Sequence, residues 1–319
     1  MRLALFAAGL LSATSPAALS AQEPVSVSLP DSVPSDLFSG SRSEDVLTAQ
    51  VLLDRSRFSP GVIDGYTGEN TRRAIRAFQR ANDMEVTGEV STALLEKLRG
   101  GDTNSITQIY KISESDVSGP FADVPSSMTE MAKLDSLGFE SPEELLAEKF
   151  HMDRQFLGAL NPDADFGKAG TEIIVVASGE KGLPDKVARI EIDKAEESVR
   201  AYSEGGKLLA RYPATIGSST FPSPSGAMAV KAIALEPKYY FDPKGRDWGP
   251  DEKLTIAAGP NNPVGGTWID LSKDGYGIHG SPDPKMVGKQ SSHGCVRLTN
   301  WDAAELAEAV NTGATVEFV

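Results

Sequence analysis

One cysteine stands in the whole chain, Cys295, in the run Ser291-Ser292-His293-Gly294-Cys295-Val296-Arg297. Sixteen residues before it comes His279, in Ile278-His279-Gly280, and two of the chain's three histidines fall in this short segment. A lone cysteine has no intramolecular disulfide to make. A thiol beside His and Gly is better explained as a nucleophile than as a packing group. A thiol is mostly protonated at neutral pH; a nearby imidazole can take that proton and later return it to a leaving amine. His279 and His293 are the candidate partners. In an extended segment the side chains of His293, Cys295 and Arg297 point to one side. Gly294 removes a Cβ beside the thiol, so a substrate carbonyl could approach the backbone N–H groups of Gly294 and Cys295, which could stabilise a tetrahedral oxyanion. The planar fork of Arg297 suits a substrate carboxylate, and Ser292 can hydrogen-bond locally. Zinc is disfavoured, because CxxC or HxxxH spacing and a fourth ligand are missing. No cofactor is called for, and no glycine loop of the phosphate-cradling kind is present.

The chain has 319 residues, enough for two or three domains. Hydrophobic residues make up 40% and charged residues 24%, which argues against disorder throughout. A net charge of −14 without a Lys/Arg-rich run disfavours nucleic acid as a partner. Residues 1–21 have the pattern of a secretory signal: Arg2, the apolar run from Leu3 to Leu11, then the small residues around Ser20 and Ala21. The apolar run falls short of the ~20 residues a bilayer needs, and no later stretch reaches that length. The expected destination is therefore outside the cytoplasm, with no transmembrane segment in the mature chain.

Four further segments must position this chemistry. Residues 22–43 hold repeated Pro, Ser and Asp and are expected to be a flexible linker. Residues 44–100 predict three helices: one over 44–54, one from about Glu69 with Thr71, Ala74, Ile75, Phe78 and Ala81 on one face, and one over 91–98. Residues 101–180 predict an α/β region. There Ser141, Pro142 and Glu144 start a helix through a capping box, Phe156 to Leu160 form a second, and Gly170 to Val176 form a strand, with an opening strand near Tyr110-Lys111-Ile112. His151 falls in this region and is expected to be structural or on the surface. Residues 185–319 turn to period-two alternation, as in Ala188, Ile190 and Ile192 against Arg189, Glu191 and Asp193. Strands are expected over 208–216, 227–235 and 275–279. A helix is expected from Thr299 with Ala303, Leu306, Ala307 and Val310 on one face, ended by Gly313, before a closing strand over 314–319. The expected architecture is multidomain: a β-rich, β-sandwich-like C-terminal domain with one notable helix, behind a three-helix unit and a small α/β region.

His279-Gly280 followed by Ser292-His293-Gly294-Cys295-Val296-Arg297-Leu298 closely resembles the motif of the L,D-transpeptidase catalytic domain family. Ala258-Gly259-Pro260-Asn261-Asn262-Pro263-Val264-Gly265 resembles a stretch of that family's periplasmic members. The resemblance implies Cys295 as nucleophile and His279 as its acid/base partner, oriented by the Gly280 carbonyl. It implies His293 shaping the site, Gly294 and Cys295 N–H groups at the oxyanion, and Arg297 and Ser292 meeting substrate. The implied substrates are peptidoglycan tetrapeptide stems. The acceptor is another stem's amine, giving a 3→3 crosslink, or an outer-membrane lipoprotein; water as acceptor would make the protein a peptidase, and the alternative without catalysis is a cell-wall-binding protein whose helical and lysin-like units carry the function. The implied location is periplasmic. Leu52-Leu53-Asp54-Arg55, Phe58-Ser59-Pro60-Gly61-Val62-Ile63-Asp64-Gly65, Ala77-Phe78-Gln79-Arg80 and Val86-Thr87-Gly88 resemble the peptidoglycan-binding-like repeat, and residues 101–180 resemble a divergent lysin motif.

Overall fold

The computed structural model describes residues 33, 34, 36–179, 182–217, 223–244, 248–290, 292 and 294–319. The expected leader, most of the expected linker and His293 lie outside the described residues. Within the linker range, Leu37 is buried in a core and Phe38 packs against it. Arg42 donates from Nε to the Asp64 carbonyl at 2.9 Å, and its guanidinium lies over the rings of Tyr66 and Phe156. The linker reading fails here because Leu37 and Phe38 supply apolar surface that composition alone discounts.

Three helices follow, α1 (Glu44–Arg55), α2 (Glu69–Ala81) and α3 (Thr92–Arg99). Ser91 caps α3 by accepting the Leu94 N–H, and Gly100 ends it in the left-handed conformation. Leu52 and Leu53 of α1 meet Ala74, Ile75, Phe78 and Leu94 in one core, whereas Ala81, expected on the same face, is exposed. Leu47 and Val51, on another side of α1, belong to a second core with Phe156, Leu157, Ile173 and Val175. The first helix therefore serves two cores, and the helical unit and the α/β region share it.

The α/β region runs β1 (Thr107–Lys111), the short α4 (Glu114–Val117) and α5 (Met128–Met131), then α6 (Pro142–Lys149), α7 (Arg154–Leu160) and β2 (Glu172–Val176), with β1 and β2 antiparallel. Ser141 caps α6 as expected, but Glu144 accepts from the Glu140 N–H, one residue before the position a capping box requires. His151 lies past the end of α6 at φ 58°.

The C-terminal region contains β3 (Val187–Asp193), β4 (Ser198–Tyr202), β5 (Leu208–Pro213), β6 (Gly226–Leu235), β7 (Tyr239–Phe241), β8 (Leu254–Ile256), β9 (Thr267–Leu271), β10 (Gly277–His279), β11 (Val296–Arg297), α8 (Asn300–Ala309) and β12 (Val310–Phe318). Eight strands join in the order β11-β10-β9-β6-β12-β3-β4-β5, and β7 pairs with β8 apart from them. β6 is the hinge of this sheet. Its Gly226–Ala229 part pairs with β12 and its later part, from Val230, pairs with β9, with a register shift between Val230 and Ala232. Both arms contribute to one core, in which Ile190 and Val199 of one arm share the interior with Ile269 and Ile278 of the other. Ala303 and Leu306 of α8 fill the same core. Thr299 caps α8 through the Asp302 N–H. The helix stops at Ala309 rather than at Gly313. Val310 already pairs with Val187 of β3, and Gly313 at φ 90° sits inside a register irregularity of β12.

Candidate active site

The strand β10 is only three residues long, and all three are buried. It is held on one side by antiparallel β9, with His279 opposite Trp268, and on the other by parallel β11, with His279 opposite Arg297. Carried one residue back, the same register sets Gly277 level with Cys295. Cys295 immediately precedes β11, so the β10–β11 pair sets it beside the strand that ends in His279. Cys295 and His279 open on one groove of about 510 Å³, which Arg297, Trp268, Tyr240 and Trp248 also line.

The imidazole of His279 is 3% exposed. Its Nδ1 lies 2.7 Å from the Gly280 carbonyl. A carbonyl only accepts, so Nδ1 carries the proton and Nε2 is left with the lone pair. Burial, followed by the positive charge of Arg297, pushes the His279 pKa down to about 4 against the pull of the Gly280 and Val264 carbonyls. The ring is therefore neutral across the neutral pH range and competent to take a proton. Trp268 stacks on it, centroids 5.4 Å apart.

The Cys295 thiol donates a weak hydrogen bond to the Gly275 carbonyl at 3.6 Å, in the turn before β10. The backbone around it is braced. Ser292 donates from Oγ to the Cys295 carbonyl and accepts the Gly294 N–H at 3.1 Å. Ser223 donates from Oγ to the Gly294 carbonyl at 2.8 Å. Gly294 has φ 112°, a conformation that side chains rarely adopt, so glycine is required there by the backbone as well as by access. The Gly294 N–H, expected to face an oxyanion, is directed instead to Ser292 Oγ. Arg297 is fixed through its backbone, exchanging two 2.9 Å bonds with Thr215.

Cys295, His279, Arg297 and Ser292 thus line one groove, with Gly280 behind the imidazole and Gly294 beside the thiol. Trp268 and Gly275 line the same groove, outside the residues that the motif points to. The burial of Thr267-Trp268-Ile269-Asp270-Leu271 alternates strictly along β9, and that period-two pattern was the available signal. The Gly275 carbonyl carries no side-chain signal at all. His151, far from the thiol in sequence, is structural. Its Nδ1 lies 2.9 Å from Asp54 and its ring stacks on Trp301, with planes 7° apart. Among the described residues no group of His, Cys, Asp and Glu is arranged to hold a metal ion.

Residues 187–318 match the family model described as "L,D-transpeptidase catalytic domain", and residues 42–98 match one described as "Putative peptidoglycan binding domain". By the first match, residues 187–318 are similar to the catalytic domain of L,D-transpeptidases. The chain is 29% identical over 174 residues to a protein named "Putative L,D-transpeptidase YkuD" from Bacillus licheniformis, covering 54% of this chain and 90% of the relative. It is also 29% identical over 198 residues to "Probable L,D-transpeptidase YbiS" of Escherichia coli, covering 57% of this chain and 61% of that protein. Among solved structures, L,D-transpeptidase 3 from Mycobacterium tuberculosis with a faropenem-derived adduct aligns at TM-score 0.35 and 16% identity, covering 48% of this chain and 64% of that one.

Proposed function

We propose that the protein is a cysteine-dependent L,D-transpeptidase acting on peptidoglycan tetrapeptide stems. The observation that carries this reading is the register of β10 and β11, which turns a buried, neutral imidazole and the chain's single thiol into one groove. Nε2 of His279 takes the thiol proton, and the Cys295 sulfur attacks the carbonyl at the L-centre of the stem's diamino acid, diaminopimelate. The Cys295 N–H faces the oxyanion of the tetrahedral intermediate. Collapse breaks the peptide bond; His279 returns the proton to the departing amine, D-alanine leaves and a thioester remains. An amine then attacks the thioester and restores the thiol. The guanidinium of Arg297 holds a stem carboxylate, and the helical unit over 42–98 keeps the enzyme on the wall. The acceptor is the side-chain amine of a second stem or the lysine of an outer-membrane lipoprotein. The setting is the periplasm, reached through the leader over 1–21.

Incubation of the full chain with purified disaccharide-tetrapeptide, followed by intact-mass measurement, tests the donor step. The expected result is an adduct on Cys295 with loss of D-alanine, abolished in Cys295→Ala. An adduct that survives in Cys295→Ala would overturn the nucleophile. The muropeptide products test the second step: dimers mark an amine acceptor, and tripeptides alone mark water.

A further inference from the structure

The loop over 258–265 runs from β8 to β9 and lines the groove through Val264. It is clamped from outside the catalytic sheet. The Leu137 N–H donates to the Ala258 carbonyl at 2.9 Å, and the Asn261 N–H returns a bond to the Leu137 carbonyl at 3.0 Å. The Asn261 amide donates to the Gly138 carbonyl at 3.0 Å and to Glu144 at 2.9 Å. Leu137, Gly138 and Glu144 all belong to the α/β region. Gly259 packs so closely on the Leu137 carbonyl that a Cβ there would collide with it.

Asn300, the first residue of α8, ties this loop to the catalytic strand. Its Nδ2 donates to both Glu148 oxygens at 3.2 and 3.1 Å and to the Pro260 carbonyl at 3.2 Å. Its Oδ1 accepts a long bond from the Gly266 N–H at 3.4 Å. A Cβ on Gly265 or on Gly280 would strike the same Oδ1, and one on Gly265 would lie 2.7 Å from the Gly280 carbonyl carbon. Gly280 is the residue whose carbonyl holds His279 Nδ1. Thus one amide has the α/β region on its nitrogen side and the imidazole's backbone anchor on its oxygen side. Burial and the nearby Glu144 charge push the Glu148 carboxyl up to about 8, so near neutrality it is mostly the acid, for which glutamine is a close isostere.

We infer that Asn300 is a positioning residue for His279, and that Glu148, reaching it from the α/β region, makes that region a working part of the active centre. This rests on His279 acting as proposed above, but it concerns the placement of the ring and can be read without turnover. An error of about 1 Å in such a group can cost on the order of 100-fold in rate.

The test uses the full chain with ring-labelled histidine, which gives signals from three imidazoles. Asn300→Ala should lower the rate of adduct formation with disaccharide-tetrapeptide by about 10–100-fold, with KM within about twofold. It should also move the His279 ring titration up toward its ordinary value. Glu148→Ala should act in the same direction and more weakly, and Glu148→Gln should restore both readouts to within about twofold of the parent. The pair Glu148→Ala with Asn300→Ala should be no worse than Asn300→Ala alone, because both cut one connection. An unchanged His279 titration in Asn300→Ala, losses that simply add in the double variant, or failure of Glu148→Gln to restore would each overturn the inference. If the parent chain forms no adduct, the proposed function fails, and the ring titrations still decide the positioning question. If Asn300→Ala does not fold, as judged by circular dichroism, the contrast of Glu148→Ala with Glu148→Gln decides it.

Discussion

The indole of Trp268 lies against the imidazole of His279 with the planes 21° from parallel, directly across the β9–β10 pair. Trp268 is itself seated by its Nε1 bond to Asp270 at 3.4 Å and by Gly277, where a Cβ would lie 2.7 Å from the indole Cε2. The indole thus contributes to the burial that keeps His279 neutral. Trp268→Ala should admit water, raise the His279 pKa and slow thioester formation by about tenfold, while Trp268→Phe should keep most of the rate. Gly277→Ala should resemble Trp268→Ala, because the added methyl displaces the ring. Histidine NMR titration and rapid-mixing mass spectrometry check all three.

The acid limb of the rate profile should lie unusually low. A histidine whose pKa is lowered to about 4 remains a base at every pH above that value. kcat/KM for the donor step should therefore fall with an apparent pKa near 4, well below the ordinary histidine range. Arg297→Gln should raise that pKa, because it removes one of its causes, and should increase KM for the stem. Steady-state kinetics from pH 3.5 to 8 distinguish these effects.

Stability should depend on pH in the opposite sense to most carboxylate-paired proteins. Burial raises Glu148 to about 8 and Asp302 to about 7, both from ordinary carboxylate values. Each folded carboxyl binds its proton more tightly than the unfolded one, so their contribution is complete below about pH 4 and is lost as pH rises through 7 and 8. His279 works the other way: its contribution is present above 6.5 and is lost as pH falls through about 4. The melting temperature should consequently be several degrees higher at pH 5.5 than at pH 8.5, at ~2–4 °C per kcal/mol for a chain of this size. Asp302→Asn should flatten the slope. Calorimetry across that range is the measurement.

His151 joins three regions: Asp54 of α1, its own place past α6, and Trp301 of α8. Burial lowers its pKa, but Asp54 outweighs this and the net shift is upward. Among the described residues, His151→Ala leaves Asp54 with one hydrogen bond, from the Gly179 N–H, and should destabilise the chain by about 3 kcal/mol in denaturant melts. At φ 58° a glycine relieves backbone strain, so His151→Gly should be about 1 kcal/mol less damaging than His151→Ala.

What could be read ahead of the structure was local. Ser91, Ser141 and Thr299 announced helix starts because a capping side chain and its helix are neighbours in sequence. Cys295 and His279, picked out because thiol and imidazole chemistry limits the possibilities, line one groove. The strand β9, which carries Trp268, has plain period-two alternation but is only five residues long. Val310, an apolar residue on the expected helix face, fits either element, and only its pairing with Val187 decides between them. The bonds from Asn300 to Glu148 and from Asn261 to Leu137 span more than a hundred residues, and no local pattern encodes them.

The strands β3 and β6 are not paired with each other; β12 lies between them and pairs with both, parallel to one and antiparallel to the other. It is the zip that joins the thiol-bearing arm to the arm of β3, β4 and β5. Until residues 315–318 are in place, β3 and β6 each expose an open edge, and Ile190, Ile269 and Ile278 have no common interior to enter. Joining the two arms is therefore a long-range event, and a nick or frameshift ahead of β12 would leave two half-sheets with open, sticky edges rather than one weakened sheet.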